Sequence, residues 1–517
     1  MKILDYLKEN ILILDGGMGT LLQGAGLPSG ELPEKWNISH PEVIQKIHRD
    51  YYEAGSNVVS TNTFGANLLK FSSEELDSIV CAAVENAKIA REDVSGERFV
   101  ALDIGPTGKL LKPYGDLDFE DAVSVFAETV KLGVKYGVDL IFIETMNDSY
   151  ETKAALLAAK ENSNLPVFVS NAYGSDGRLM TGASPAAMVA MLEGMGADAI
   201  GANCSLGPRQ LALVAEELLE YATVPVLLKP NAGLPEIREG KTVYDVTPDE
   251  FGCEVAELVK KGLRICGGCC GTTPEYIKAV VDSIPDKPVL REIKKRSLVS
   301  SYTHIVDFLG APILIGERIN PTGKKRFKQA LRDRDIDYIL GEGLAQEKAG
   351  VHILDVNVGL PEIDEAQMIK DVVCSLQAVC DLPLQIDTSS ALAMETALRR
   401  YNGKAMINSV NGKRESMEAI FPLVKKYGGL VVALTLDESG IPDTAQGRVK
   451  IAENILKVAN EYGIDKKDII FDTLAMTISA DNKAAVATLS SLKTIKNELG
   501  CHTSLGVSNI SFGLPNR

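Results

Sequence analysis

The sequence predicts an α/β protein built as two tandem (β/α)8 barrels, the second truncated at its C-terminal end. Three observations predict this. Short apolar runs, each closing on Gly or a polar residue, alternate with amphipathic helical patterns, as βαβ units require. The rhythm runs for eight such units, breaks at a charged stretch, and restarts for seven more. Aromatic residues are only 6% of the 517, with Trp36 the sole Trp. The core must therefore come from Val, Ile, Leu and Ala, as in parallel sheets covered on both faces.

The first eight runs are ILILDGG (11–17), NVVSTNTFG (57–65), FVALDIG (99–105), DLIFIETM (139–146), PVFVSNAYG (166–174), AIGANCS (199–205), PVLLKPNAG (225–233) and LRICGGCCG (263–271). Helical patterns such as PEVIQKIHRDYYEAG (41–55) and SPAAMVAMLEGMGAD (184–198) lie between them. Eight units at this length favour a closed, TIM-type barrel over residues 1–290 rather than an open sheet. REIKKRSLVSSYTHIVDF (291–308) is charged and polar and reads as a linker. The second domain, 309–517, carries PILIGERIN (312–320), HILDVNVG (352–359), PLQIDTS (383–389), AMINSVNG (405–412), LVVALTLD (430–437), IIFDTLAM (469–476) and TSLGVSN (503–509), and the chain stops at GLPNR. A barrel lacking its eighth unit would expose two parallel edges. The chain is therefore expected to be a fragment of a longer one.

Lys and Arg number 54 against 70 Asp and Glu, a net charge of −16. That acidic balance argues against a broad nucleic-acid or bilayer footprint. No apolar run reaches the ~18 residues of a membrane helix, and MKILDYLKEN runs straight into the first strand without a signal-peptide pattern. The nine cysteines are odd in number and not spaced as a secreted scaffold, which suits a reduced, cytoplasmic setting where clustered Cys means metal or catalysis.

In such barrels chemistry gathers at the C-terminal strand ends. Cys269 and Cys270 follow the eighth run and Cys204 the sixth. Alternate strands lie near one another across a barrel mouth, so three thiols can meet there. Three thiolates suffice for a catalytic Zn2+ with an open fourth position, which would bind a substrate thiol as thiolate. The competing reading is a set of buried small residues or an adventitious vicinal pair, and spacing alone leaves the two about even. The flanking glycines favour close approach of backbone and metal. Cys266, Cys253, Cys81, Cys374, Cys380 and Cys501 read as core or surface thiols.

DGGMGT (15–20), STNTFGAN (60–67), IETM (143–146), ANCS (202–205) and GGCCGTTPE (267–275) resemble the homocysteine S-methyltransferase family across residues 1–290. The resemblance implies zinc on Cys204, Cys269 and Cys270, activating homocysteine. It also implies Asp15 and Glu144 near the amino-acid end of that substrate, where an ammonium wants carboxylate acceptors. Taken singly, Asp15 could be a turn residue and Glu144 a strand-end ion pair. Thr63 and Asn203 are expected to line the same pocket.

The second domain carries Glu317, Asn320, Asp355, Asn357, Asp387, Asn408, Asp472 and Asn509 at its strand ends. Repeated carboxylates and amides match a flat heterocycle with an aminopyrimidinone edge, since carboxylates accept from ring and exocyclic N–H while Asn both donates and accepts. The other reading is a set of polar caps on an α/β barrel. No GxxxxGK[ST] loop and no GxGxxG opening a helix is present, which disfavours a nucleotide. GERINPTG (316–323), LDVNVG (354–359), QIDTS (385–389), INSVNG (407–412) and FDTLAM (471–476) resemble the pterin-binding family of dihydropteroate synthases and methyltetrahydrofolate:corrinoid methyltransferases. That resemblance implies a pterin held by Asp387, Asn408 and Asp472, with Asp355 and Asn357 on the floor and Asn509 near N5. SLGVSNISFG (504–513) looks like the methyltransferase branch.

The tandem arrangement is similar to the N-terminal half of the cobalamin-dependent methionine synthases. It implies homocysteine and methyltetrahydrofolate as substrates, with cobalamin on a corrinoid-carrying domain or protein outside this chain. No DxHxxG, the usual corrinoid lower-ligand signature, occurs among the five His positions. Three other readings remain open at this level: a corrinoid-free homocysteine methyltransferase using betaine or S-methylmethionine, a non-catalytic folate- or thiol-binding scaffold, and a dihydropteroate synthase-like enzyme.

Overall fold

The computed structural model describes residues 2–238, 241–478 and 482–511. The chain falls into two compact units whose boundary lies at Lys294/Lys295. The first unit contains β1 (Leu12–Ile13), β2 (Val58–Ser60), β3 (Phe99–Ile104), β4 (Leu140–Met146), β5 (Val167–Asn171), β6 (Ala199–Asn203), β7 (Val226–Lys229), an antiparallel hairpin of β8 (Pro235–Arg238) and β9 (Lys241–Tyr244), and β10 (Ile265–Cys266). Strands β1–β7 and β10 form one parallel sheet in the order β1-β10-β7-β6-β5-β4-β3-β2. Each matches one of the eight apolar runs. The sheet closes on itself through Asn57. Its backbone N–H donates to Ile13 O at 2.7 Å, and its side-chain Oδ1 accepts from Ile13 N at 2.9 Å.

The helices between the strands are punctuated by their own residues. The Ser72 hydroxyl accepts from Glu75 N while the Glu75 carboxylate accepts from Ser72 N, a reciprocal cap opening helix Ser73–Glu92. Gly55, in the left-handed region at φ +112, closes helix Pro41–Ala54. Leu12, Leu14, Val58, Phe99, Ala101, Leu140, Phe142, Phe168, Ala199, Leu227 and Ile265 fill the barrel. Ile3 and Leu7 join that core from helix Ile3–Glu9, so the first residues of the chain plug the N-terminal end of the barrel. Truncating one of the buried aromatic residues to Ala would cost about 3–5 kcal/mol.

The second unit opens with β11 (Leu298–Ser300) and β12 (Ile305–Asp307), an antiparallel hairpin. The stretch 291–308, expected as a linker, thus contains structure that belongs to the second unit. Ser300 N donates to Lys404 O and Lys404 N to Ser300 Oγ, while Val299 enters the core beside Ile353, Met406, Leu430, Val432 and Ile470. The hairpin does for this unit what the N-terminal helix does for the first. The sheet then runs β13 (Ile315–Ile319), β14 (Ile353–Val356), β15 (Leu384–Asp387), β16 (Met406–Asn411), β17 (Leu430–Leu434), β18 (Ile469–Asp472) and β19 (His502–Ser504), parallel and in chain order. These are the seven expected runs, and the closing GLPNR lies outside the described residues. Among the described residues no helix is long and apolar enough to cross a membrane.

Candidate active site

Strand pleating decides which side chains reach the mouth of the first barrel. Phe99 and Ala101, Leu140 and Phe142, Phe168, Ala199 and Leu227 all face the core. Continuing the same alternation by two or four residues presents Asp103, Glu144, Ser170, Asn203 and Lys229 at the C-terminal rim.

Lys229 is the centre of this layer. Its Nζ donates to Asp15 Oδ1 at 3.1 Å and to Glu144 Oε2 at 3.2 Å, and lies 5.0 Å from the centroid of the Phe142 ring. Burial works against its charge, but Asp15 and Glu144 outweigh that and hold it well above the ordinary lysine range. Asp15 also accepts from Ser60 N at 2.6 Å. Burial raises Glu144, with Lys229 opposing. Burial, reinforced by the Glu144 charge, pushes Asp103 well above the carboxylate range, and its Oδ1 has no hydrogen-bond partner among the described residues. Asp15 and Glu144 thus both face the single ammonium of Lys229.

Asn203 links that layer to the sulfurs. Its Oδ1 accepts from Thr145 N at 2.8 Å and Ser170 Oγ at 2.7 Å. Its Nδ2 donates to Thr145 Oγ1 at 2.7 Å and lies 3.9 Å from Cys269 Sγ. Thr63 does something different. Its hydroxyl donates to Asp103 O at 2.8 Å, bracing the ends of β2 and β3, and hydrogen-bonds to neither the acidic pair nor the sulfurs.

The three cysteines converge. Cys204 N donates to Lys229 O, Cys269 N to Pro230 O and Cys270 N to Asn231 Oδ1, so the segment after β7 clamps both cysteine loops. Cys204 and Ser205 both take left-handed backbone angles, φ +60 and +61, a conformation that costs a non-glycine residue on the order of 1–3 kcal/mol. The Sγ atoms lie within 4.8 Å of one another, with Cys204 and Cys270 3.7 Å apart. Tetrahedral zinc with Zn–S bonds of ~2.3 Å separates its sulfurs by about 3.8 Å, so the donor set fits. Hydrogen bonds from Cys269 and Cys270 hold Cys204 down to about 3, as a thiolate. Their bonds to Cys204 push both the other way, Cys270 to about 11 and Cys269 well above the thiol range. The cluster takes one negative charge readily and resists a second, a resistance that a divalent cation relieves. Cys266, by contrast, is fully buried, and burial alone raises it to about 12.

In the second unit the same alternation carries Ile315 to Glu317, Ile353 to Asp355, Met406 to Asn408 and Ile470 to Asp472. Gln385 Nε2 donates to Asp355 Oδ1 at 2.5 Å, the Asn408 side chain also bonds the Asp355 carboxyl, and Asn357 Nδ2 donates to Asp387 Oδ2 at 2.9 Å. Burial, then repulsion from Asp387, lifts Asp355 to about 8. Burial also raises Asp387, with Asn357 opposing. Asp355, Asn357, Asp387 and Asn408 therefore form two hydrogen-bonded pairs on adjacent strand ends, and exposed Glu317 acts electrostatically on both carboxyls.

Three expected site residues hydrogen-bond to none of these. Asn320 closes a local turn by accepting from Thr322 N at 2.9 Å. Asp472 accepts from Leu474 N at 2.7 Å, in a loop that buried Arg448 staples through Thr473 O and Leu474 O. Asn509 sits exposed on the one-turn helix Val507–Asn509 after β19.

The sequence reasoning missed Lys229, Asp103, Thr145, Asn231 and Gln385. The signal for Lys229 was a lysine two residues past Leu227 in an otherwise apolar strand, and Asp103 stands in the same relation to Ala101.

A family model described as homocysteine S-methyltransferase matches residues 12–284, and one described as pterin binding enzyme matches residues 316–516. Methionine synthase of Mycobacterium tuberculosis (strain ATCC 25618 / H37Rv) is 32% identical over 545 residues, covering 99% of this chain and 46% of that protein. Methionine synthase of Mycobacterium leprae (strain TN) is 30% identical over 550 residues with the same coverage. The chain thus spans about half the length of the curated relatives it matches. Among solved structures, the metallated form of the homocysteine methyltransferase MmuM from Escherichia coli is 24% identical, with TM-score 0.46, covering 53% of this chain and 96% of that one. Dihydropteroate synthase of Xanthomonas albilineans with 4-aminobenzoic acid is 20% identical, with TM-score 0.32, covering 41% and 77%.

Proposed function

The chain is a methyltransferase and belongs to the homocysteine S-methyltransferase family, and on that premise we propose that its first unit methylates the sulfur of homocysteine while its second binds methyltetrahydrofolate. The pair would form the substrate-binding half of a cobalamin-dependent methionine synthase. The methyl carrier, a corrinoid on another domain or protein, is a partner in this reading. The observation that carries it is the convergence of Cys204, Cys269 and Cys270 beside the buried Asp15–Lys229–Glu144 layer.

Cys204, Cys269 and Cys270 would hold zinc, which when bound supplies a Lewis acid that keeps a substrate thiol deprotonated at neutral pH. The chain's own residues do the rest. Asp15 and Glu144 receive the homocysteine ammonium, and Lys229 keeps their combined charge matched to a single cation. Asn203 keeps Thr145 and Cys269 in register, so the amino-acid end and the sulfur end are set by one side chain. The homocysteine thiolate would form the new sulfur–methyl bond as the carrier's bond to that methyl breaks, the carrier keeping the electron pair. The product would leave as the thioether of methionine, which no longer binds as an anion.

In the second unit Asp387 and Asn408 accept and donate along the pterin edge, while Asp355 and Asn357 form its floor. Asp355 can hold a proton near neutral pH, Asp472 would help hold the pterin ring, and Asn509, on the one-turn helix after β19, would face its N5 side. For the N5–methyl bond to break as the methyl passes to the carrier, N5 would have to gain a proton, since a neutral amine leaves better than its anion.

The test is methionine formation from free methylcobalamin and homocysteine, with and without a zinc chelator. Turnover that the chelator abolishes is expected. Turnover only from betaine or S-methylmethionine, or none in zinc-loaded protein, would overturn the reading.

A further inference from the structure

The hairpin β8–β9 was not expected from sequence and is not part of the barrel. Its root is tied to the cysteine loop. Ala232 N donates to Cys270 O at 2.9 Å, Val246 N to Ala232 O at 3.1 Å, and Leu234 N to Asp245 Oδ1 at 3.0 Å. Tyr276 fastens the far side by donating its hydroxyl to Val246 O at 2.7 Å. Gly233 bends the chain at φ +104, where an added Cβ would fall 1.9 Å from Asp245 Oδ1. The last residue of β9, Tyr244, lays its ring over Gly271, directly after the vicinal cysteines. A Cβ on Gly271 would lie 2.3 Å from Tyr244 Cδ2, so only glycine admits the ring. The ring therefore sits against the loop that carries Cys269 and Cys270, with the phenol within electrostatic reach of the three sulfurs and paired with Cys270.

We propose that Tyr244 is a positioning residue for the cysteine cluster, its hydroxyl hydrogen-bonding the Cys270 sulfur so that this ligand stays on the metal and the open coordination position faces the substrate. The proposal rests on the zinc reading above. A donor to a metal-bound thiolate draws electron density from it, lowers its tendency to be protonated, and slows its release. Partners of this kind are typically worth 10–100-fold in metal affinity or activity.

The test uses the full chain loaded with zinc, and separately with Co2+, comparing wild type with Tyr244→Phe and Tyr244→His. Tyr244→Phe keeps the ring over Gly271 and is expected to leave the thermal midpoint unchanged. It should speed zinc transfer to a colorimetric chelator by about tenfold and shift the thiolate-to-cobalt charge-transfer band. Tyr244→His, which retains an N–H donor, is expected to recover part of the wild-type release rate. Zinc release and a cobalt spectrum identical to wild type in Tyr244→Phe would overturn the proposal alone. Wild-type protein that binds no zinc would overturn the metal reading and this proposal with it.

Discussion

Lys229 places its ammonium 3.1 Å from the carboxylate of Asp15, in an ion pair whose side chains are each only 3% exposed. A buried pair of this kind contributes little net stability when intact, but breaking it strands a charge in the core. Lys229→Met is therefore expected to destabilise the first unit by about 3–5 kcal/mol, measured by urea unfolding. Adding Asp15→Asn to Lys229→Met should recover part of the loss. Equal instability in single and double variants would mean that packing, not charge, is at issue.

The cysteine cluster predicts a joint loss. Cys204→Ala, Cys269→Ser and Cys270→Ser should each lose bound zinc, read by metal analysis, and activity from free methylcobalamin together. Removing one ligand of three leaves too few donors for tight binding. Full turnover in a metal-free variant would sink the assignment.

Asp387→Ala should separate the two halves. A hydrogen bond to a charged group is worth about 1.5–3 kcal/mol, so methyltetrahydrofolate binding by titration calorimetry is expected to weaken roughly 10- to 150-fold. Methionine formation from free methylcobalamin should be unchanged. Damage to both would point to misfolding of the chain.

Asp355 gives the second unit a pH dependence. Its pKa in the fold, about 8, exceeds the ordinary 3.8, so the folded state holds a proton that the unfolded chain releases. The stabilisation from that proton is complete below about pH 4 and is lost as pH rises through 8. At 1.36 kcal/mol per unit, the upper bound is on the order of 5 kcal/mol. Asp355→Asn has no proton to lose, so its stability relative to wild type should climb between pH 5 and 8.5 in thermal melts. A constant difference across that range would show that Asp355 is ionised in the folded protein.

Fifteen strands of the two main sheets were legible because each is a short apolar run ended by a polar residue. The meeting of Cys204, Cys269 and Cys270 was legible because all three follow strand ends at one barrel mouth. The two hairpins were not. In β11–β12 the chain buries Ser297, Ser300 and Ser301 by satisfying them with neighbouring main chain, and a serine-rich segment looks like a linker until those partners are known. The hairpin β8–β9 is polar and looks like loop. Lys229 was illegible for another reason: its meaning depends on Asp15 and Glu144, which lie 214 and 85 residues away in sequence. In the second unit, alternation marked Asp355, Asn408 and Asp472 as rim residues, but which of them pair depended on strand register. That register sets Asp387 opposite Asn408.

The seam of the first barrel has a consequence for how the molecule breathes. A ring of strands has no natural place to open, yet between β1 and β2 it is held by a clasp in which the Asn57 carboxamide substitutes for main chain. A side-chain acceptor frays more readily than a run of ladder bonds, so excursions from the native state should start at this clasp. The amides of Ile13 and Asn57 should then exchange with deuterium ahead of those in β4 and β5. Because β1 leads directly into Asp15, each such excursion would also loosen the acidic layer at the substrate end. The stretch of backbone that locks the ring is the one that delivers the carboxylate.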